Sequence, residues 1–192
     1  MALVFQSPWD ICADETNELA EESEPTAREA IHRKYHSVWM LHYKKYWEPV
    51  FESLRDSGFV LYEDFESYIL QGRVFSQVYM TDMIKCREKA VKNVYARNCV
   101  DSFLISELAK LEFLELIIPV GGLAWNIFAR MLDLGAQPPI TMAHGLVFRG
   151  LLQGRRMTLT PAVHVRQAGQ MLRGSWVEYL VHALKTVNAV NN

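Results

Sequence analysis

Four short segments carry the residue types that could do chemistry: Gln6-Ser7-Pro8-Trp9-Asp10, Thr81 to Arg87, Val120 to Ala124, and His164 to Arg166. The ordinary titration of His164 lies near neutrality, so its ring can pass a proton or donate a hydrogen bond to developing charge. Asp82, once ionised, only accepts hydrogen bonds. Lys85, Arg87, Lys89, Lys92 and Arg97 follow one segment, and Arg149, Arg155, Arg156, Arg166 and Arg173 surround the last. If these loops share one rim they can hold phosphates, although solvated loops are commonly rich in Lys and Arg. Trp9, next to Pro8, offers a flat face for a nucleobase. Gly121-Gly122 could meet a phosphate, but it falls short of the Gly-x-Gly-x-x-Gly dinucleotide fingerprint. Cys12, Cys86 and Cys99 include no Cys-x-x-Cys pair, which argues against a disulfide framework and a zinc ribbon. No metal or cofactor is expected.

The elements that must position these segments alternate between strand and helix, the signature of an α/β domain. Ala2 to Gln6 is a short apolar run ending at Ser7-Pro8, a first strand that opens into a loop. From Thr26 to about Ser57, Ile31, Tyr35, Val38, Trp39, His42, Trp47, Val50 and Leu54 recur at helical spacing, with Pro49 expected to break the run and Gly58 to close it. Val74 to Cys86 mixes β-branched and aromatic residues and predicts a buried strand, followed by a polar loop to about Asn98. A helix follows from Asp101, then a strand over Leu114 to Val120, and a short helix from Leu123 to Leu134 stopped by Gly135. Met157 to His164 is the last strand, and Gln167 to about Val190 a closing amphipathic helix. The expected architecture is a single three-layer α/β/α sandwich over residues 1–192, with a short, mainly parallel central sheet of about four strands. In such folds ligands bind where loops leave the carboxyl ends of the strands, which is where the four segments fall.

Composition agrees. The 192 residues are 50% hydrophobic and 22% charged, enough for a sizeable core and incompatible with whole-chain disorder. No apolar run approaches the roughly 18 residues needed to span a bilayer, and the amino terminus lacks the order of a secretory signal, so an intracellular protein without membrane contact is expected. Charge is uneven: residues 1–31 hold eight acids and one base, net −7, leaving +5 on the remainder. A mildly basic body beside an acidic segment can approach an anionic polymer by one face, though a solvated acidic stretch accounts for the same charges.

The order of motifs resembles the uracil-DNA glycosylase superfamily. Val78-Tyr-Met-Thr-Asp-Met-Ile-Lys-Cys-Arg87, a helix near Cys99, and Leu116-Ile-Ile-Pro-Val-Gly121 with Ala124 are similar to the middle of those enzymes. His144-Gly-Leu-Val-Phe-Arg149, Gly154 and Thr158-Leu-Thr-Pro-Ala-Val-His164 are similar to the approach to their catalytic histidine loop, and Phe5-Gln6-Ser7-Pro8-Trp9 to the motif that positions the hydrolytic water. The likeness covers about two-thirds of the chain, closing helix included. It implies that His164 stabilises the leaving base, that Gln6 and Ser7 position water, that Trp9, Pro8 and Asp82 shape the base pocket, and that Lys85, Arg87 and Arg166 meet DNA.

Three departures accompany it. Where the best-known branch has Gly-Gln-Asp-Pro-Tyr, Ser7 takes the place of the acid and cannot supply its charge; Asp10 does so only if the loop turns inward. Asp82 stands where many members have an Asn that pairs with uracil; it either favours a base edge rich in donors or caps the following loop. His164-Val165-Arg166 replaces the family's His-Pro-Ser. Cys86 and Cys99 fall near two ligand positions of the branch with an iron–sulfur cluster, but three cysteines cannot build a four-thiolate cage, so no cluster is expected. The implied activity is excision of a deaminated base, uracil or a related one, by a monomer acting on single- or double-stranded DNA. The alternative is a catalytically weak or inactive nucleic-acid- or nucleobase-binding protein with the same fold.

Overall fold

The computed structural model describes residues 1–5, 25–82, 98–171 and 176–191. Its centre is a five-stranded sheet: β1 (Ala2–Phe5), β2 (Tyr79–Asp82), β3 (Leu116–Val120), β4 (Phe148–Leu152) and β5 (Arg155–Leu159), in the order β2-β1-β3-β5-β4. All neighbours run parallel except β4, which pairs antiparallel with β5 at the edge.

Helices cover both faces: α1 (Pro25–His42), α2 (Lys44–Asp56), α3 (Phe65–Leu70), α4 (Val74–Gln77), α5 (Ile105–Ala109, after a π turn at Val100–Leu104), α6 (Gly122–Met131), α7 (Ile140–Ala143), α8 (Val165–Met171) and α9 (Trp176–Asn191). Because successive strand residues point to opposite faces, the apolar run of a doubly covered strand divides between two cores. Leu3, Leu116, Ile118 and Val120 join Trp39, Trp47, Phe51, Tyr68, Trp176 and Leu180 from α1, α2, α3 and α9. Ala2, Val4, Ile117 and Leu159 join Leu104, Leu108, Trp125 and Phe128 from the other side. The chain is a mixed α/β protein with the three-layer arrangement expected of it.

The structure departs from the sequence reading at several places. The described residues form five strands: β4 alternates half-buried and exposed residues along the rim, and a two-residue turn joins it to β5, with Gln153 at φ 50° and Gly154 at φ 82°. Positive φ at both turn residues suits the right-handed twist of a hairpin. The break in the long helical run falls at Tyr43 (φ −104°, ψ 28°), and Pro49 sits inside α2. That proline removes one backbone bond in the second turn, while Trp47, Val50, Phe51 and Leu54 hold the helix against the core. Val74–Gln77 is helical rather than strand, and β2 is only Tyr79–Asp82. There the Gln77 carboxamide oxygen accepts from Leu61 N (2.9 Å) and Tyr68 Oη (3.0 Å), bonds across 16 and 9 residues that outweigh the β propensity of Val74 and Phe75. The expected closing helix is helical wherever it is described, over α8 and α9. Among the described residues no helix is long and apolar enough to cross a membrane.

Candidate functional site

Strand register brings the carboxyl ends together. Phe5 lies opposite Asp82 on one side and Val120 on the other, and Val120 bridges to Ala162 beyond β5. The loops after β1, β2, β3 and β5 therefore leave from one end of the sheet. At β3 the chain turns directly into α6 through Gly121 (φ 98°), whose N–H donates to Ala162 O at 2.8 Å. The only residues that reach such a φ without strain are glycines, so this tight turn depends on Gly121.

His164 stands at this end, half-buried, with its ring 5.9 Å from that of Trp39. The backbone N–H of Arg166 donates to His164 Nδ1 at 3.3 Å, which in the neutral ring leaves the proton on Nε2. Burial, reinforced by the positive charge of Arg166, pulls the imidazole down to about 4 from its usual 6.5. The ring is therefore neutral at physiological pH. Arg166 is exposed, and its Nε donates to Tyr43 Oη at 2.9 Å. The break between α1 and α2 thus has a role: it sets Tyr43 against Arg166 while Trp39, one turn earlier, meets His164. Their four-residue spacing on a helix was the available signal for this pair.

Two other features were not anticipated from the sequence. Tyr79 and Thr81 both donate their hydroxyl protons to Glu107 Oε1, the latter at 2.9 Å, bracing the end of β2 against α5. Arg155 is turned away from any phosphate role, since its guanidinium donates to the carbonyls of Leu111, Glu112 and Leu114. Arg149 and Arg156 line a separate cleft of about 700 Å³ with Thr158 and Glu115 on the outer part of the sheet.

Of the site residues expected from sequence, His164 and Arg166 are adjacent here, and Asp82 ends β2 at the same edge of the sheet. Gln6, Ser7, Pro8, Trp9, Lys85 and Arg87 lie outside the described residues, as do Asp10, Cys12, Cys86, Arg173 and the acidic segment. Among the described residues no group of three His, Cys, Asp or Glu side chains could hold a metal, and Cys99 is buried. The fold and this edge define an α/β protein with a neutral histidine at the carboxyl ends of its strands. The chain matches no family model and no curated protein.

The lowered histidine titration has a measurable consequence. Between pH 6.5 and about 4 the folded chain binds fewer protons at His164 than the unfolded chain, so stability falls as pH falls through that window. His144, lowered by burial, acts in the same direction. Thermal melts from pH 7.5 to 4.5 should show a falling Tm that flattens in a His164→Gln variant; an undiminished slope there would assign the effect to other groups.

Proposed function

We propose that this chain is a divergent member of the uracil-DNA glycosylase superfamily, which takes a deaminated base, uracil or a related one, out of the stack and hydrolyses its N-glycosidic bond. The observation that carries the reading is His164: neutral, protonated on Nε2, and set at the strand ends where such a substrate would lie. As the bond between sugar C1′ and the base nitrogen breaks, its electron pair leaves with the base. A neutral N–H donor aimed at the base oxygen that gains this charge stabilises the departing anion. Water adds its oxygen to C1′ and its released proton neutralises the departed base, giving an abasic site and the free base. Gln6 and Ser7 are the residues proposed to hold that water, and without a carboxylate at position 7 the reaction is expected to be slow. Extruding the base costs a few kcal/mol, least at a mismatch or in a single strand.

Arg166, exposed and oriented by Tyr43, is a phosphate contact in this reading, alongside Lys85 and Arg87. Arg166→Ala should weaken DNA binding equally for all sequences and reduce the slope of log affinity against log salt by about one, measured by fluorescence anisotropy. An unchanged slope would remove Arg166 from the interface.

The function itself is tested with labelled single- and double-stranded oligonucleotides carrying uracil, hypoxanthine or xanthine, incubated with protein and cleaved by alkali at abasic sites. Cleavage supports the enzyme. Ser7, Asp82 and the missing Pro and Ser after His164 favour the second reading, a non-catalytic nucleic-acid- or nucleobase-binding protein of the same fold. That reading predicts a mobility shift with no cleavage at high protein excess.

A further inference from the structure

The backbone just before His164 has left the sheet. β5 ends at Leu159, and Val163 is fully buried with no ladder to satisfy its N–H and C=O. Buried backbone groups of this kind must find partners elsewhere. Both partners here are side chains distant in sequence. Val163 N–H donates to His144 Nδ1 at 3.1 Å, and Trp176 Nε1 donates to Val163 O at 2.7 Å. The circuit closes on itself, because His144 Nε2 lies 2.9 Å from Trp176 O and the two rings stack with centroids 5.5 Å apart. An Nδ1 that accepts from Val163 places the His144 proton on Nε2, which then donates to Trp176 O.

We propose that His144 and Trp176 form a clamp that positions His164, holding Val163 by both backbone polar groups so that the histidine is presented in one orientation and one tautomer. The role assigned to His164 in catalysis rests on the glycosylase reading; the clamp's grip on Val163 does not. The clamp is itself anchored. Gly145 takes φ +70° and packs so tightly that a Cβ there would come within 2.6 Å of Tyr179 O, fixing the His144 turn against α9. Trp176 meets Trp47 and Tyr46 of α2 at 5.5 and 5.7 Å. Ala162, next in line, donates to Pro119 O at 2.9 Å. Residues 162, 163 and 164 are thus each held by a different element, and a fully satisfied buried network specifies a single arrangement.

The test begins with the unaltered protein, for which long-range proton–nitrogen NMR should find His144 Nδ1 unprotonated and coupled to the Val163 amide. A protonated Nδ1, or no such coupling, overturns the proposal. His144→Ala and Trp176→Phe, checked for retained fold by circular dichroism, should speed exchange of the Val163 amide about tenfold or more. His164 in these variants should show mixed tautomers, and excision should fall about a hundredfold in kcat with KM near that of the parent, the penalty expected of a catalytic group displaced by about 1 Å. His144→Gln, whose amide also pairs an acceptor with a donor, should recover much of the loss. Unchanged Val163 exchange and His164 ring signals in the first two variants would overturn the clamp. If the parent protein excises nothing, the glycosylase reading fails and the NMR measurements alone decide the clamp.

Discussion

Replacing His164 by alanine is expected to lower base excision by about 10²–10⁴-fold, the range associated with a positioned proton donor. The folded structure should survive, because the ring is only half-buried; its contacts include Trp39 and the Arg166 amide. The loss should fall on kcat, since in the proposed reaction the hydrogen bond to the leaving base would strengthen only as charge develops. The pH profile supplies a second signature. A ring held at about 4 by burial is already neutral at pH 6, so excision should show no inflection near the ordinary histidine value of 6.5. Single-turnover rates of parent and variant between pH 4.5 and 8 check both points. A variant with undiminished excision would remove His164 from the chemistry.

Trp47→Ala should have the largest effect on stability. Trp47 is fully buried, and its ring meets Trp39 (5.4 Å), Phe51 (6.5 Å) and Trp176 (5.5 Å). Removing it deletes apolar surface and leaves a cavity, at a cost of about 3–5 kcal/mol. For a chain of this size that lowers Tm by about 6–20 °C. Phe113→Ala, at a residue 90% exposed, is the matching control and should change stability little. Trp47 also lies between the residues that brace the site: Trp39 against the His164 ring and Trp176 on Val163. Any Trp47→Ala protein that remains folded should therefore lose excision as well. Calorimetry of both variants tests the first claim, and equal Tm values would show that the core repacks around the gap.

The amino-acid sequence by itself determined the features that local chemistry decides. Apolar runs at Ala2–Phe5 and Leu116–Val120 specify strands covered on both faces. Gly58, at φ 77°, lies just past α2 where the chain needs a left-handed residue, whereas α6 ends at Met131 and Asp133 (φ 51°), not Gly135, takes that position after it. The position of His164 after a strand was legible too, because α/β order alone puts that loop at the carboxyl end of the sheet. The structure decided whatever depends on partners far along the chain. An edge strand such as β4 carries a weak pattern, since one of its faces meets solvent. Val74–Gln77 is drawn into a helix beside contacts with Leu61 and Tyr68 that no propensity encodes. Pro49 stays helical because its neighbours are buried in the core. The titration of His164 and the grip of His144 and Trp176 on Val163 arise from burial and from bonds across 13 and 19 residues, and these exist only once the layers have packed.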